Sequence, residues 1–111
     1  SKYERYALSA LMLLYPMAGR HPQAFGHLLA AADFYLSPVR EVAIVGDGAE
    51  ELVRVVRSEY RPHVVLAGGS PDGVPLLEGR EPVDGHAAAY VCEHFACQAP
   101  LTTPEALEAA L

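Results

Sequence analysis

REVAIVGDGAEELVRVVRSEYRPHVVLAGG, Arg40 to Gly69, is the stretch whose reading decides the fold. Its first part, Glu41 to Gly46, is a short β-branched run ending at glycine, the composition of a buried strand. Ala49, Leu52, Val53, Val56 and Tyr60 then recur at helical spacing, and Arg61-Pro62 stops that helix. His63 to Ala67, HVVLA, is a second continuous apolar run. A strand, an amphipathic helix and a strand in so few residues predict a βαβ unit with parallel strands.

Two parallel strands need a further neighbour for a stable sheet, and Ala87 to Cys92 supplies an expected third strand. Between them, Gly68 to Gly73 is a turn cluster, and Val74 to Gly85 has no helical period and reads as an irregular or extended connection. Thr103-Pro104-Glu105 predicts a last short helix, with threonine as cap, proline at the first helical position, and Leu107 and Leu111 on one face.

Upstream of the sheet, Tyr3, Tyr6, Ala7, Ala10, Leu11 and Leu14 fall on one helical face that is expected to be buried. Leu8, Met12 and Tyr15 line a second face, so this helix asks for cover on two sides. Pro16 and Gly19 are expected to end it. His21-Pro22 starts a second helix with Phe25, Leu28, Leu29, Ala32, Tyr35 and Leu36 inward, which makes an antiparallel hairpin. The expected fold class is therefore α/β: a helical hairpin over residues 1–36, then a small α/β domain over 39–111 with its sheet in a two-layer or three-layer arrangement.

Bulk properties exclude several roles. Fourteen acidic residues face eight basic ones, for a net charge of −6, so the cationic face a nucleic-acid backbone or an anionic membrane requires is missing. No apolar run approaches the roughly 20 residues of a membrane span. No signal peptide opens the chain, so a cytoplasmic location is expected, and a start without Met inside a helical pattern looks like a cut from a longer protein.

Candidate chemistry gathers at two places. Cys92 and Cys97 lie near His86 and His94, four soft or borderline ligands in a short stretch, and a tetrahedral zinc site needs four. The cysteine spacing is neither CxxC nor a zinc knuckle, while alternation along the strand would put Cys92 and His94 on one face. Three readings stand: a zinc site, a disulfide or reactive dithiol, and buried free cysteines acting as small apolar residues, of which the last leads.

The second place is a loop pocket formed by Gly46, Asp47 and Gly48 after the first strand and Gly68 and Gly69 after the second, since ligands sit outside the carboxyl ends of parallel strands. Glu51 occupies the position of the third glycine in a dinucleotide fingerprint, and Asp47, Glu50 and Glu51 repel phosphate. The leading reading makes the glycines turn residues and Asp47 a helix cap. His21, His27 and His63 form no triad pattern, and Glu78, Glu81 and Asp84 read as solvated loop carboxylates.

AAAYVCEHFACQAP, Ala87 to Pro100, followed by TTPEALEAAL, resembles the extreme C-terminus of the YyaL-like, spermatogenesis-associated thioredoxin-domain proteins. The stretches REVAIVGDGAEELVRVVRSEYRPHVVLAGG and PLLEGREPVDG are similar in order and spacing. The resemblance implies a much longer parent, with a thioredoxin-like domain and an (α/α)-barrel akin to six-hairpin glycosidases upstream, and carbohydrate-related activity. It implies that residues 1–36 are late barrel helices and that the remainder is an α/β appendage. No catalytic, cofactor-binding or metal residue carries over from it, and no cofactor is expected. The expected role is a non-catalytic structural and interaction segment whose partner is the upstream barrel region of its own chain, with homo-oligomers forming if the piece is isolated.

Overall fold

The computed structural model describes residues 1–111 apart from Pro71 and Phe95. The fold is α/β, and the chain divides into two compact units, Ser1–Ser37 and Pro38–Leu111.

The first unit is a helical hairpin. Helix α1 spans Lys2–Arg20, opened by a capping box in which the Ser1 hydroxyl oxygen accepts from the Glu4 amide and the Glu4 carboxylate accepts from the Ser1 backbone nitrogen. Pro16 does not end α1 as expected: the helix continues through it to Arg20. A 3-10 turn over Pro22–Phe25, with proline at its start, leads into α2, Gly26–Leu36. Packing between the helices is thinner than the periodicity implies. Ala18 is the buried residue of α1, Leu8, Leu11 and Leu14 are half-buried, and Tyr3, Tyr6, Ala7 and Ala10 on the expected inner face stand exposed.

The second unit holds a four-stranded sheet in the order β2-β1-β3-β4. Strand β1 is Arg40–Val45, α3 is Glu50–Arg57 and β2 is Val64–Gly68, with β1 and β2 parallel from Arg40↔Val64 to Ile44↔Gly68. The predicted βαβ unit is therefore present. Strand β3, Ala88–Glu93, lies antiparallel on the other side of β1, and β4, Ala96–Cys97, returns antiparallel beside β3. Central β1 is flanked on both edges, which explains why its residues from Val42 to Val45 are all buried.

Alternation along the strands splits the core in two. Val42 and Ile44 of β1 with Ala89 and Val91 of β3 face Leu52 and Val56 of α3 and Leu107 of α4, Pro104–Ala110. On the opposite face Ala43, Val45 and Cys92 pack on Leu76 and Leu77, which belong to the irregular connection. The sheet is thus covered by helices on one face and by that connection on the other. Helix α4 begins at a Thr103 cap, and its C-terminal carbonyls at Ala110 and Leu111 accept from the Arg40 guanidinium, which ties the helix end to the start of β1.

Among the described residues, no helix is long and apolar enough to cross a membrane.

Candidate functional site

The two cysteines are not free. Cys92 and Cys97 form a disulfide, which corrects the leading reading of them as buried thiols. The sheet register explains the bond. Cys92 and Cys97 are direct cross-strand partners, and the neighbouring pair is hydrogen-bonded by the Gln98 amide donating to the Val91 carbonyl at 3.0 Å. The cysteines therefore occupy a pair without ladder hydrogen bonds, where antiparallel backbones come closest, and their Cα atoms are 3.9 Å apart. The sulfurs differ in setting, since Cys92 is 1% exposed and Cys97 lies at the exposed edge.

A third residue completes this site. Arg80, half-buried on the connection, brings Nη2 to 2.8 Å from the Cys97 sulfur and 3.5 Å from the Cys92 sulfur. Its Nη1 donates to the Glu78 carbonyl at 3.2 Å, which fixes the guanidinium, while buried Nε has no hydrogen-bond partner among the described residues. Nearby, the Tyr90 hydroxyl donates to the Glu81 carbonyl at 2.8 Å and pins the following turn of the connection to β3. Pro75, Glu78, Gly79, Arg80, Tyr90 and Cys97 border one open depression, so a molecule arriving from solvent meets Arg80 and Cys97 together. Spacing from the cysteines could not have identified Arg80. One compositional signal exists, because it is the only Lys or Arg after Arg61.

The histidines do not join the cysteines. His86 is exposed and closes a two-residue turn with Val83, their backbones exchanging hydrogen bonds of 2.8 and 3.0 Å. Asp84 and Gly85 between them both have positive φ, at 49° and 77°, the signature of a type I′ turn that an Asp-Gly pair favours. His94 has φ 50°, so it has left the strand, and the alternation expected to put it on the Cys92 face does not reach it. Among the described residues, no group of three or more His, Cys, Asp or Glu side chains is placed to hold a metal ion.

The glycine loops do come together. Gly46, Asp47, Gly48, Gly68 and Gly69 line an open depression of about 500 Å3 with Glu50 and Arg57 on its walls. Asp47 is not the cap: Ala49 holds that position, with no side-chain hydrogen bond to the helix. Glu50 and Glu51 fill the first turn of α3, which satisfies the helix dipole from within the chain and leaves the entrance acidic.

The hairpin carries a different kind of surface. Leu8, Leu11, Met12, Tyr15, Leu28 and Leu36 are among the walls of an apolar groove of about 170 Å3. Tyr3, Leu13 and Leu36 are each more than three-quarters exposed, at 82%, 77% and 81%.

With a small mixed-sheet α/β unit, a thin helical hairpin and a cysteine bridge described, the class of protein is an α/β chain similar to part of a much larger one. The chain is 31% identical to human spermatogenesis-associated protein 20 (Homo sapiens) over 96 residues, covering 77% of this chain and 12% of that protein. It is 28% identical to the spermatogenesis-associated protein 20 of Rattus norvegicus over 96 residues, with the same coverage of 77% and 12%. The chain thus spans about an eighth of the curated relatives it matches. No protein-family profile matches it, and no solved structure does.

Proposed function

We propose that this chain is a non-catalytic docking segment of a larger protein, and that its helical hairpin is covered by the upstream barrel of that same protein. The observation that carries the reading is the hairpin's own surface: α1 buries only Ala18 while Met12, Leu13, Tyr15 and Met17 are all at least half exposed. Two of these, Met12 and Tyr15, line the apolar groove of the hairpin, and exposed apolar surface of this kind marks an interaction site. Sequence to supply the occupant exists in such a protein, because the match covers only 12% of each relative; that it is upstream rests on the resemblance of this chain to a C-terminal region. A thioredoxin-like domain, an (α/α)-barrel and a carbohydrate-related activity belong to that reading of the parent.

Two measurements test it. In dilute solution the 111-residue chain is expected to self-associate or to bind an apolar dye, and Met12→Lys with Leu13→Lys is expected to reduce both. In the longer protein, amides of 2–36 are expected to exchange with solvent far more slowly than in the isolated chain. A monomer with no dye binding and already protected helices sinks the docking role. Turnover by the isolated chain, lost when one of its side chains is replaced, sinks the non-catalytic one.

A further inference from the structure

We propose that Cys92–Cys97 is a redox-active disulfide that exchanges with thiol reductants, and that Arg80 stabilises the thiolates the exchange creates. Three observations converge on it. The bond closes a loop with a sequence separation of 5 at the edge of the sheet, so opening it leaves the β2-β1-β3 core in place. Cys97 is an exposed residue on the border of an open depression, and Cys92 is buried. A guanidinium that cannot be deprotonated contacts both, at 2.8 and 3.5 Å. A structural disulfide requires no such cation, because neutral sulfurs are weak acceptors, whereas a thiolate beside a fixed positive charge is strongly favoured.

The accessibility difference sets the order of events. A thiolate of the reductant attacks the Cys97 sulfur in line with the S–S bond, which breaks with its electron pair passing to Cys92. The products are a mixed disulfide on Cys97 and a Cys92 thiolate next to Arg80. A second thiol of the reductant, as its thiolate, then attacks the reductant sulfur of the mixed disulfide and releases the Cys97 thiolate, 2.8 Å from Nη2 in the starting geometry. The reductant leaves with its own disulfide, two electrons have moved to the cysteine pair, and the two thiol protons pass to solvent or to the cysteines as they titrate. Run backwards, the reduced pair reduces a disulfide and is itself oxidised to the Cys92–Cys97 bond. By stabilising the reduced form, Arg80 makes the bond more oxidising than an unassisted structural disulfide.

The experiment equilibrates the 111-residue chain with reduced and oxidised glutathione and counts alkylated thiols by mass, for the natural sequence, Arg80→Met and Arg80→Lys. The natural chain is expected to be reduced while its circular dichroism stays native. Arg80→Met is expected to lower the equilibrium constant for reduction at least tenfold, about 30 mV for this two-electron couple, and Arg80→Lys to lower it by much less. The first thiol of the reduced natural chain is expected to titrate below the ordinary value of about 8.5, and Arg80→Met to raise it. A bond that glutathione opens only after urea unfolds the chain overturns the proposal, as do equal constants for the natural chain and Arg80→Met. Should Arg80→Met fail to fold, the thiol titration of the natural chain decides: a value at or above about 8.5 overturns the proposal.

Discussion

Gly46 ends β1 at φ 97°, and a Cβ built there would stand 3.0 Å from the Ala87 Cα and 3.1 Å from the Pro82 Cγ. Backbone cannot step aside as a flexible side chain can, so this glycine is required twice, for its conformation and for its space. Gly48, two residues on, has φ 77° but open space around it. Gly46→Ala is therefore expected to cost about 2–4 kcal/mol, left-handed strain plus overpacking. Gly48→Ala is expected to cost only the strain, about 1–2 kcal/mol. Urea midpoints of the two variants check the difference, and equal losses would mean that the approach of Ala87 does not constrain the turn. The same contact shows why a glycine read from sequence as a turn residue can also be a packing residue. Its neighbours at Pro82 and Ala87 are far along the chain and invisible to local pattern.

At the scale of elements, legibility followed the range of the interactions. Strands β1 and β2 and the body of helix α3 are legible because β-branched runs and a 3.6-residue period are local and their partners are adjacent, but α3 stops at Arg57, short of the expected Arg61-Pro62 stop, and Tyr60 is exposed rather than on its inner face. The expected bounds of β3 lie within one residue of the observed Ala88–Glu93, but its antiparallel direction is not legible, since direction depends on the path of the connection before it. That connection hid the most. Leu76 and Leu77 lie in turns without periodicity, yet Leu77 is 1% exposed and forms the cover of one sheet face with Leu76. The Asp84-Gly85 turn was a readable signal that the surrounding prolines and charges obscured. Strand β4 has two residues, too few for any period, and the disulfide it permits depends on register. Leu77→Ala is expected to destabilise the chain by about 2–5 kcal/mol, as a buried leucine on a regular element would. A loss under about 1 kcal/mol in urea unfolding would show that the connection yields and refills the space, contrary to its role as a fixed cover.

On the scale of the whole molecule, the burial is lopsided. Among the described residues every fully buried apolar side chain except Ala18 belongs to Pro38–Leu111, including Ile44, Leu77, Val42, Cys92 and Leu107, the largest of them. Hydrophobic burial is the main favourable contribution to folding, so the two units should differ sharply when separated. Residues 38–111 are expected to fold alone, with a single cooperative urea transition, because both faces of their sheet are covered from within. A peptide of residues 1–37 is expected to be only partly helical. Its 19-residue α1 is just beyond the length at which isolated helices become marginal, and the faces that would add packing energy lie open. Circular dichroism of the two pieces under urea checks both expectations. If 38–111 unfolds gradually, its core is incomplete and the hairpin contributes to it. If instead 1–37 unfolds cooperatively by itself at dilution, the hairpin is self-sufficient and the reason for assigning its open apolar faces to a covering partner disappears.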